Sequence, residues 1–332
     1  MKIKISELTN LTLKALKRYN YTDEESKIIS GMLLYAQLRG NNQGVVKLIN
    51  KNFAKNPEAG EITIEKETKL SARINGNHNS GAVVLKKALD LAVAKAKEHG
   101  FGIVGTNNTN TSTGALGYWA NVIAKEGLIG FVFAGSPETV AYHGSYEPIF
   151  GTNPLAIGIP TDGDPLVLDM ATAAMAYYGL IEAKTAGRKI PPDIAYDSEG
   201  NLTDDPAKAM DGALRSFDKN YKGASLSMMV EVLTGPLIGA SFTDIGDTKT
   251  NWGNLVFVID PKLFVDLDEF KKNVAALAAR VKATKKLPGV SEILLPSERG
   301  NRLTKQRVES GEIDIEDNLY HFSKSFRNSS LL

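Results

Sequence analysis

The chain has 332 residues, 42% of them hydrophobic, enough to bury a large apolar core in one big domain or two intertwined ones. With 39 basic against 38 acidic residues and a formal net charge of +1, it offers no electrostatic grip on nucleic acid or on an anionic membrane. It contains no cysteine, which excludes disulfides, thiolate metal ligands and a cysteine nucleophile together, so redox work needs a cofactor.

The opening M-K-I-K-I-S-E-L-T-N lacks an uninterrupted apolar segment, and no apolar run approaches the roughly 20 residues that span a bilayer. A cytoplasmic protein is expected. Thr22-Asp23-Glu24-Glu25 fits a capping box, and Ile28, Ile29, Met32, Leu33 and Ala36 follow at helical spacing before Gly40 supplies a permissive stop. Gln43 and Lys47 come just after, four residues apart. They are either the start of another helix or part of a site. Val83 to Lys97 reads as a second amphipathic helix, with Val84, Leu85, Ala88, Leu89 and Ala92 on one face and Gly100 at its end.

From residue 101 the pattern changes to short apolar runs alternating with helical stretches: F-G-I-V-G-T, a helix around Leu116 to Glu126, G-L-I-G-F-V-F-A-G, P-L-A-I-G-I-P and P-L-V-L-D-M. Runs of four to eight such residues bounded by Gly, Pro and Asn are what buried strands look like, so the core is α/β. A further strand, Leu255 to Asp260, precedes a helix starting near Asp266 that carries Leu267, Phe270, Val274, Leu277 and Val281. Residues 191 to 206 are dense in turn formers and read as a surface excursion. No internal repeat or interdomain linker interrupts the chain.

The string Gly100-Phe101-Gly102-Ile103-Val104-Gly105 matches the dinucleotide fingerprint, but the order of elements is reversed, with a helix before the glycines and a strand through them. The match is read as coincidental. The polar loop N-N-T-N-T-S-T-G, with Thr111, Ser112 and Thr113, feeds a helix near Gly114; it can hold phosphate or ribose oxygens, or it can be a well-capped loop and nothing more. G-T-N-P at 151 to 154 and D-M-A-T at 169 to 172 each follow a strand, where α/β folds place ligands, and a plain strand-end turn is the alternative. Of His78, His99, His143 and His321, none has metal-ligand spacing, so no metal is expected, and only His143 lies near a candidate pocket.

Taken together, A-K-E-H-G-F-G-I-V, A-K-E-G-L-I-G, G-T-N-P-L-A-I-G-I-P, L-D-M-A-T-A, Y-K-G-A-S-L-S-M-M-V-E-V-L-T-G, V-F-V-I-D-P-K-L-F and I-L-L-P-S-E-R resemble the type-2 malate/L-lactate dehydrogenase family. That family includes ureidoglycolate, sulfolactate and diketogulonate oxidoreductases and cyclic-imine reductases. The resemblance implies a non-Rossmann α/β fold with a mixed-sheet core and a helical N-terminal region. It further implies NAD or NADP as cofactor, a small-molecule substrate and a homodimer. The expected division is a helical region 1–100, packing with 286–332 at a subunit interface, and a nucleotide-binding core 101–285. By motif, Asp169, Met170, Ala171 and Lys222 resemble cofactor contacts, and Pro296, Ser297, Glu298 and Arg299 resemble the family's P-G-E-R cofactor loop. Thr152 is similar to a residue near substrate, and Asp197 to the acid of W-A-I-D.

The proton-transfer residues of the resemblance are replaced. Where the family reads S-H-G-V-x-R, this chain has Asn42-Gln43-Gly44-Val45-Val46-Lys47, and the histidine of N-S-N-H-F-G becomes Thr111 or Ser112. A neutral amide orients an oxygen or nitrogen but is no acid or base near neutral pH, and a lysine lacks the bidentate fork of arginine. Three readings stand. Gln43 and Asn42 can orient an already protonated imine while Lys47 holds its carboxylate; or His143, Lys47 or water replaces the histidine in 2-oxo-acid chemistry; or the chain is a nucleotide-binding protein with a regulatory or structural role.

Overall fold

The apolar runs after residue 100 become the strands of a mixed sheet in the computed structural model, which describes residues 1–48, 53–246 and 251–315. Seven strands among the described residues lie in the order Thr63–Glu67, Ser71–Asn75, Phe101–Thr109, Trp252–Ile259, Ile129–Ala134, Leu155–Ile159 and Leu166–Met170. Neighbours are antiparallel except Ser71–Asn75 and Phe101–Thr109, which are parallel. A parallel pair requires a crossover, and helix Gly81–His99 provides it.

Side chains alternate across a strand, so the register decides what meets on each face. Val256 stands beside Val104 and Val132, and these pack with helices Gly81–His99 and Leu116–Lys125 in the main core. Phe257 stands beside Ile103 and Phe131 on the other face, its ring stacked 4.6 Å from Phe131 and 5.5 Å from Phe133. Glycine lets the helices approach. A Cβ on Gly102 would stand 2.2 Å from the Ala92 carbonyl oxygen, and one on Gly158 2.1 Å from that of Ala120. Gly100 ends its helix in the left-handed region at φ 82. Gly100 and Gly102 of the fingerprint-like string thus serve helix capping and helix–strand packing, as the reversed element order suggests.

The capping box forms, with the Glu25 N–H donating to Thr22 Oγ1 and the Thr22 N–H to Glu25 Oε2. Helix Asp23–Leu38 packs against Ile5–Arg18, and the C-terminal segment returns to the same place. Helix Glu298–Ser310 lies on Asp23–Leu38, Arg307 donates to the carbonyls of Gln37 and Leu38 at that helix's end, and strand Glu312–Asp314 pairs with Lys2–Lys4.

Two features differ from the sequence reading. Strands Thr63–Glu67 and Ser71–Asn75 and helix Gly81–His99 belong to the main sheet layer although they precede residue 100. The first strand, T-I-E-K-E, is exposed throughout and carries no apolar pattern. The excursion 191–206 is also less superficial than its composition suggests. Ile194 and Ala195 are buried in a second core with Val140, Leu180 and Leu214, beside a small sheet ordered Ala195–Tyr196, Ala213–Leu214, Val140–Ala141 and Pro148–Phe150. Strands of two residues leave no readable alternation. No helix among the described residues is long and apolar enough to cross a membrane.

Candidate active site

Asn41 to Leu48 is a tight connection that ends in the 3-10 turn Val45–Leu48, so Gln43 and Lys47 do not share the α-helical face that their spacing suggests. Local hydrogen bonds dictate the geometry. The Gln43 N–H donates to Asn41 Oδ1 at 2.8 Å, and the Val45 N–H to Gln37 Oε1 at 2.9 Å. Val45 and Leu48 enter the main core, while the Tyr19 hydroxyl donates to the Leu48 carbonyl at 2.6 Å. The side chain between these anchors, Lys47, is driven inward and left 1% exposed.

Lys47 Nζ donates to Ser112 Oγ at 2.8 Å and sits 4.1 Å from the centre of the Tyr178 ring. No carboxylate among the described residues pairs with it. Burial therefore pulls its pKa down from 10.5 to about 7, because the charged form has lost its water. Ser112 Oγ also accepts the Gly114 N–H at 3.1 Å, so its own O–H is its remaining donor capacity.

These groups border a cavity of about 540 Å³ at the ends of the sheet strands. Asn42 and Gln43 line it, joined by a Gln43 Nε2 to Asn42 Oδ1 contact of 3.3 Å. Thr111, Ser112 and Thr113 form one wall, Asp169, Met170 and Ala171 another, and Thr152 a third. Lys47 is the only cation in this lining among the described residues. Thr111 holds φ at 67, a strained conformation for a β-branched residue, and its Oγ1 is 3.1 Å from Ser80 Oγ.

A second cavity of about 520 Å³ shares Asn41, Asn42 and Asp169 with the first, so the two are contiguous along one trough. Arg39, Ser297 and Arg299 line it. Arg39 donates to Asn301 Oδ1 and to the Ser297 carbonyl, which fixes the loop before helix Glu298–Ser310. Asp169 opens to solvent in this trough, yet protein crowds it closely enough that burial raises its pKa to about 6, against the opposing Gly117 N–H and Arg39 charge.

Other residues singled out in the sequence lie elsewhere. Glu298 faces Lys282 and accepts the Leu295 N–H, and neither it nor Pro296 lines either cavity. Asp197 closes a turn by accepting the Glu199 and Asn201 N–H groups, which holds its carboxyl below the usual range. His143 is exposed and meets the Tyr221 ring edge-on, and Lys222 is exposed at the start of helix Tyr221–Thr234. None of these three lines the trough. His321 lies outside the described residues. Sequence reasoning passed over Tyr178, Glu138 and Arg39, which the fold brings to the cavities. Only Arg39, beside G-N-N at a helix end, carried a local signal.

A nicotinamide nucleotide suits this trough. Two joined cavities offer length, arginines stand at one end, and Thr139 Oγ1 at the wall of the other is buried without a partner among the described groups. Comparison with known proteins bears on the same point. The malate/L-lactate dehydrogenase family model matches residues 3–322. The malate/(S)-sulfolactate dehydrogenase of Methanothermus fervidus is 37% identical over 329 residues, covering 95% of this chain and 94% of that protein. A Δ1-pyrroline-2-carboxylate reductase of Burkholderia ambifaria is 31% identical over 288 residues, 82% of this chain and 83% of that one. The solved sulfolactate dehydrogenase of Methanocaldococcus jannaschii superposes with a TM-score of 0.86 at 32% identity, covering 99% of this chain and 97% of that one. The chain belongs to the malate/L-lactate dehydrogenase family, and it is an NAD(P)-dependent oxidoreductase.

Proposed function

We propose that this protein interconverts a small 2-hydroxy acid and the corresponding 2-oxo acid at the Lys47 end of the trough. The observation that carries the reading is Lys47, the one buried cation lining that cavity among the described residues, a charge that suits one substrate carboxylate. When bound, the nicotinamide supplies or accepts the hydride. Gln43 and Asn42 orient the reacting group through neutral amides, and Thr111 to Thr113 with Asp169 to Ala171 hold the cofactor. Arg39 and Arg299 suit its phosphates, because guanidinium groups match phosphate oxygens in pairs. Thr152, in the cavity wall, borders the substrate; Lys222 and Asp197 keep only the roles that the resemblance implies for them, and His143 takes no part in this reading.

A second reading, reduction of a cyclic imino acid, draws on the amide pair Gln43–Asn42, which can seat a protonated nitrogen without moving a proton. Absorbance at the nicotinamide band, followed with NADH or NADPH and a panel of 2-oxo acids and cyclic imino acids, tests both readings. Consumption with 2-oxo acids supports the first, and consumption confined to imino acids the second. Cofactor binding without turnover on either class contradicts both.

A homodimer is part of the proposal. Met228, Met229 and Val232 of helix Tyr221–Thr234, with Leu237 beyond it, expose 42 to 58% of their surface, an apolar patch suited to a second copy of the chain. Light scattering on the eluting protein at twice the monomer mass supports it, and the monomer mass contradicts it.

A further inference from the structure

We propose that Lys47 performs two tasks in one complex: its ammonium holds the carboxylate of a 2-oxo acid and donates the proton to the adjacent carbonyl oxygen. The inference rests on the functional reading above and concerns how that site works without a histidine.

The geometry supplies the donors. An ammonium has three N–H groups, and one of them goes to Ser112 Oγ. The other two have no carboxylate partner among the described residues, although the group is 1% exposed and borders the cavity. A 2-oxo acid presents a carboxylate oxygen and its carbonyl oxygen side by side, so one small charged group can meet both. Ser112 Oγ already accepts from Lys47 and Gly114, which leaves its O–H to support the second carboxylate oxygen. The Tyr178 ring favours the cation over the neutral amine.

The step balances. The carbonyl carbon receives a hydride from the reduced nicotinamide, which is oxidised, and the π electrons of the C=O bond move to oxygen. That oxygen takes a proton from Lys47 Nζ as the N–H bond breaks, giving the 2-hydroxy acid and a neutral amine. Water returns the proton when product leaves. Gln43 and Asn42 have no acidic proton to give and only orient the substrate. The buried environment lowers the lysine toward about 7, so the neutral amine is an accessible state near physiological pH.

The test uses oxamate, a stable isostere of a 2-oxo acid, and the NADH-loaded protein. Heats of binding at about pH 8 in buffers of different ionisation enthalpy give the number of protons taken up. About one unit above its pKa roughly nine-tenths of the lysine is neutral, so close to one proton should be taken up per oxamate bound. A Lys47→Arg variant separates the two tasks, because arginine stays charged: it should bind oxamate with little proton uptake while 2-oxo-acid reduction falls about 10²- to 10⁴-fold. Oxamate binding without proton uptake by the wild type overturns the proposal, as does an arginine variant that reduces substrate at the wild-type rate. The wild-type measurement stands even where arginine does not seat in the buried site. Failure of the protein to bind NADH or NADPH would contradict the functional reading itself.

Discussion

Replacing Lys47 by methionine removes a buried ammonium while keeping an unbranched apolar stem. Burial lowers the Lys47 pKa from 10.5 to about 7. Between those values the unfolded chain keeps a proton that the folded amine has given up, so stability rises with pH across the window. The destabilisation is fully present below about pH 7 and fades as pH approaches the unfolded value. The whole span of about 3.5 pH units corresponds to ~5 kcal/mol, of which about 2 kcal/mol falls between about pH 7.5 and about pH 9. Urea unfolding of the wild type and Lys47→Met at several pH values measures it. The advantage of the variant over the wild type should shrink by about 2 kcal/mol across that interval. A difference that stays constant would refute the claim that Lys47 loses its proton in the folded state near neutral pH.

Other expected outcomes follow from the same structure. Gly102→Ala forces a Cβ to 2.2 Å from the Ala92 carbonyl, so urea unfolding should report a loss of about 3 kcal/mol. Ser297 sits at φ 65, and its hydroxyl donates to the Pro165 carbonyl at 3.2 Å. Ser297→Gly relieves the backbone and loses that bond, so stability should stay level or rise by up to about 1 kcal/mol, and a larger loss would contradict the assigned strain. Burial raises the Asp169 pKa to about 6, so, if its carboxylate accepts from ribose hydroxyls as proposed, NADH should bind more weakly as pH falls through that value. Fluorescence titration of Asp169→Asn should show weaker binding with that pH dependence gone; an unchanged profile would remove Asp169 from the cofactor site.

The parts of the fold legible in the sequence are those where burial writes a periodic pattern. Helix Gly81–His99 shows its apolar stripe and its terminal glycine, and strand Trp252–Ile259 shows a continuous apolar run because both its faces are covered. Strand Thr63–Glu67 is legible in neither way, since it is exposed and polar, and the pairing of Lys2–Lys4 with Glu312–Asp314 joins chain ends that no local pattern connects. At the site, Thr111 to Thr113 and Asp169 to Ala171 are recognisable as motif segments, but their meeting around one cavity is a tertiary fact. The spacing of Gln43 and Lys47 suggests a shared helical face, whereas a 3-10 turn pinned by Gln37 and Tyr19 brings both to the cavity. Nothing local reveals that Lys47 is buried, and burial is what changes its chemistry.

The most direct measurement is the fate of a labelled hydride. Enzyme in excess is mixed with NADH or NADPH carrying deuterium at the transferable position and with a 2-oxo acid, and the product is analysed by mass spectrometry. A 2-hydroxy acid bearing one deuterium on carbon 2 is the predicted result, and it should be lost in Lys47→Met. Bound cofactor with no labelled product, from 2-oxo and cyclic imino acids alike, would contradict hydride transfer at this site.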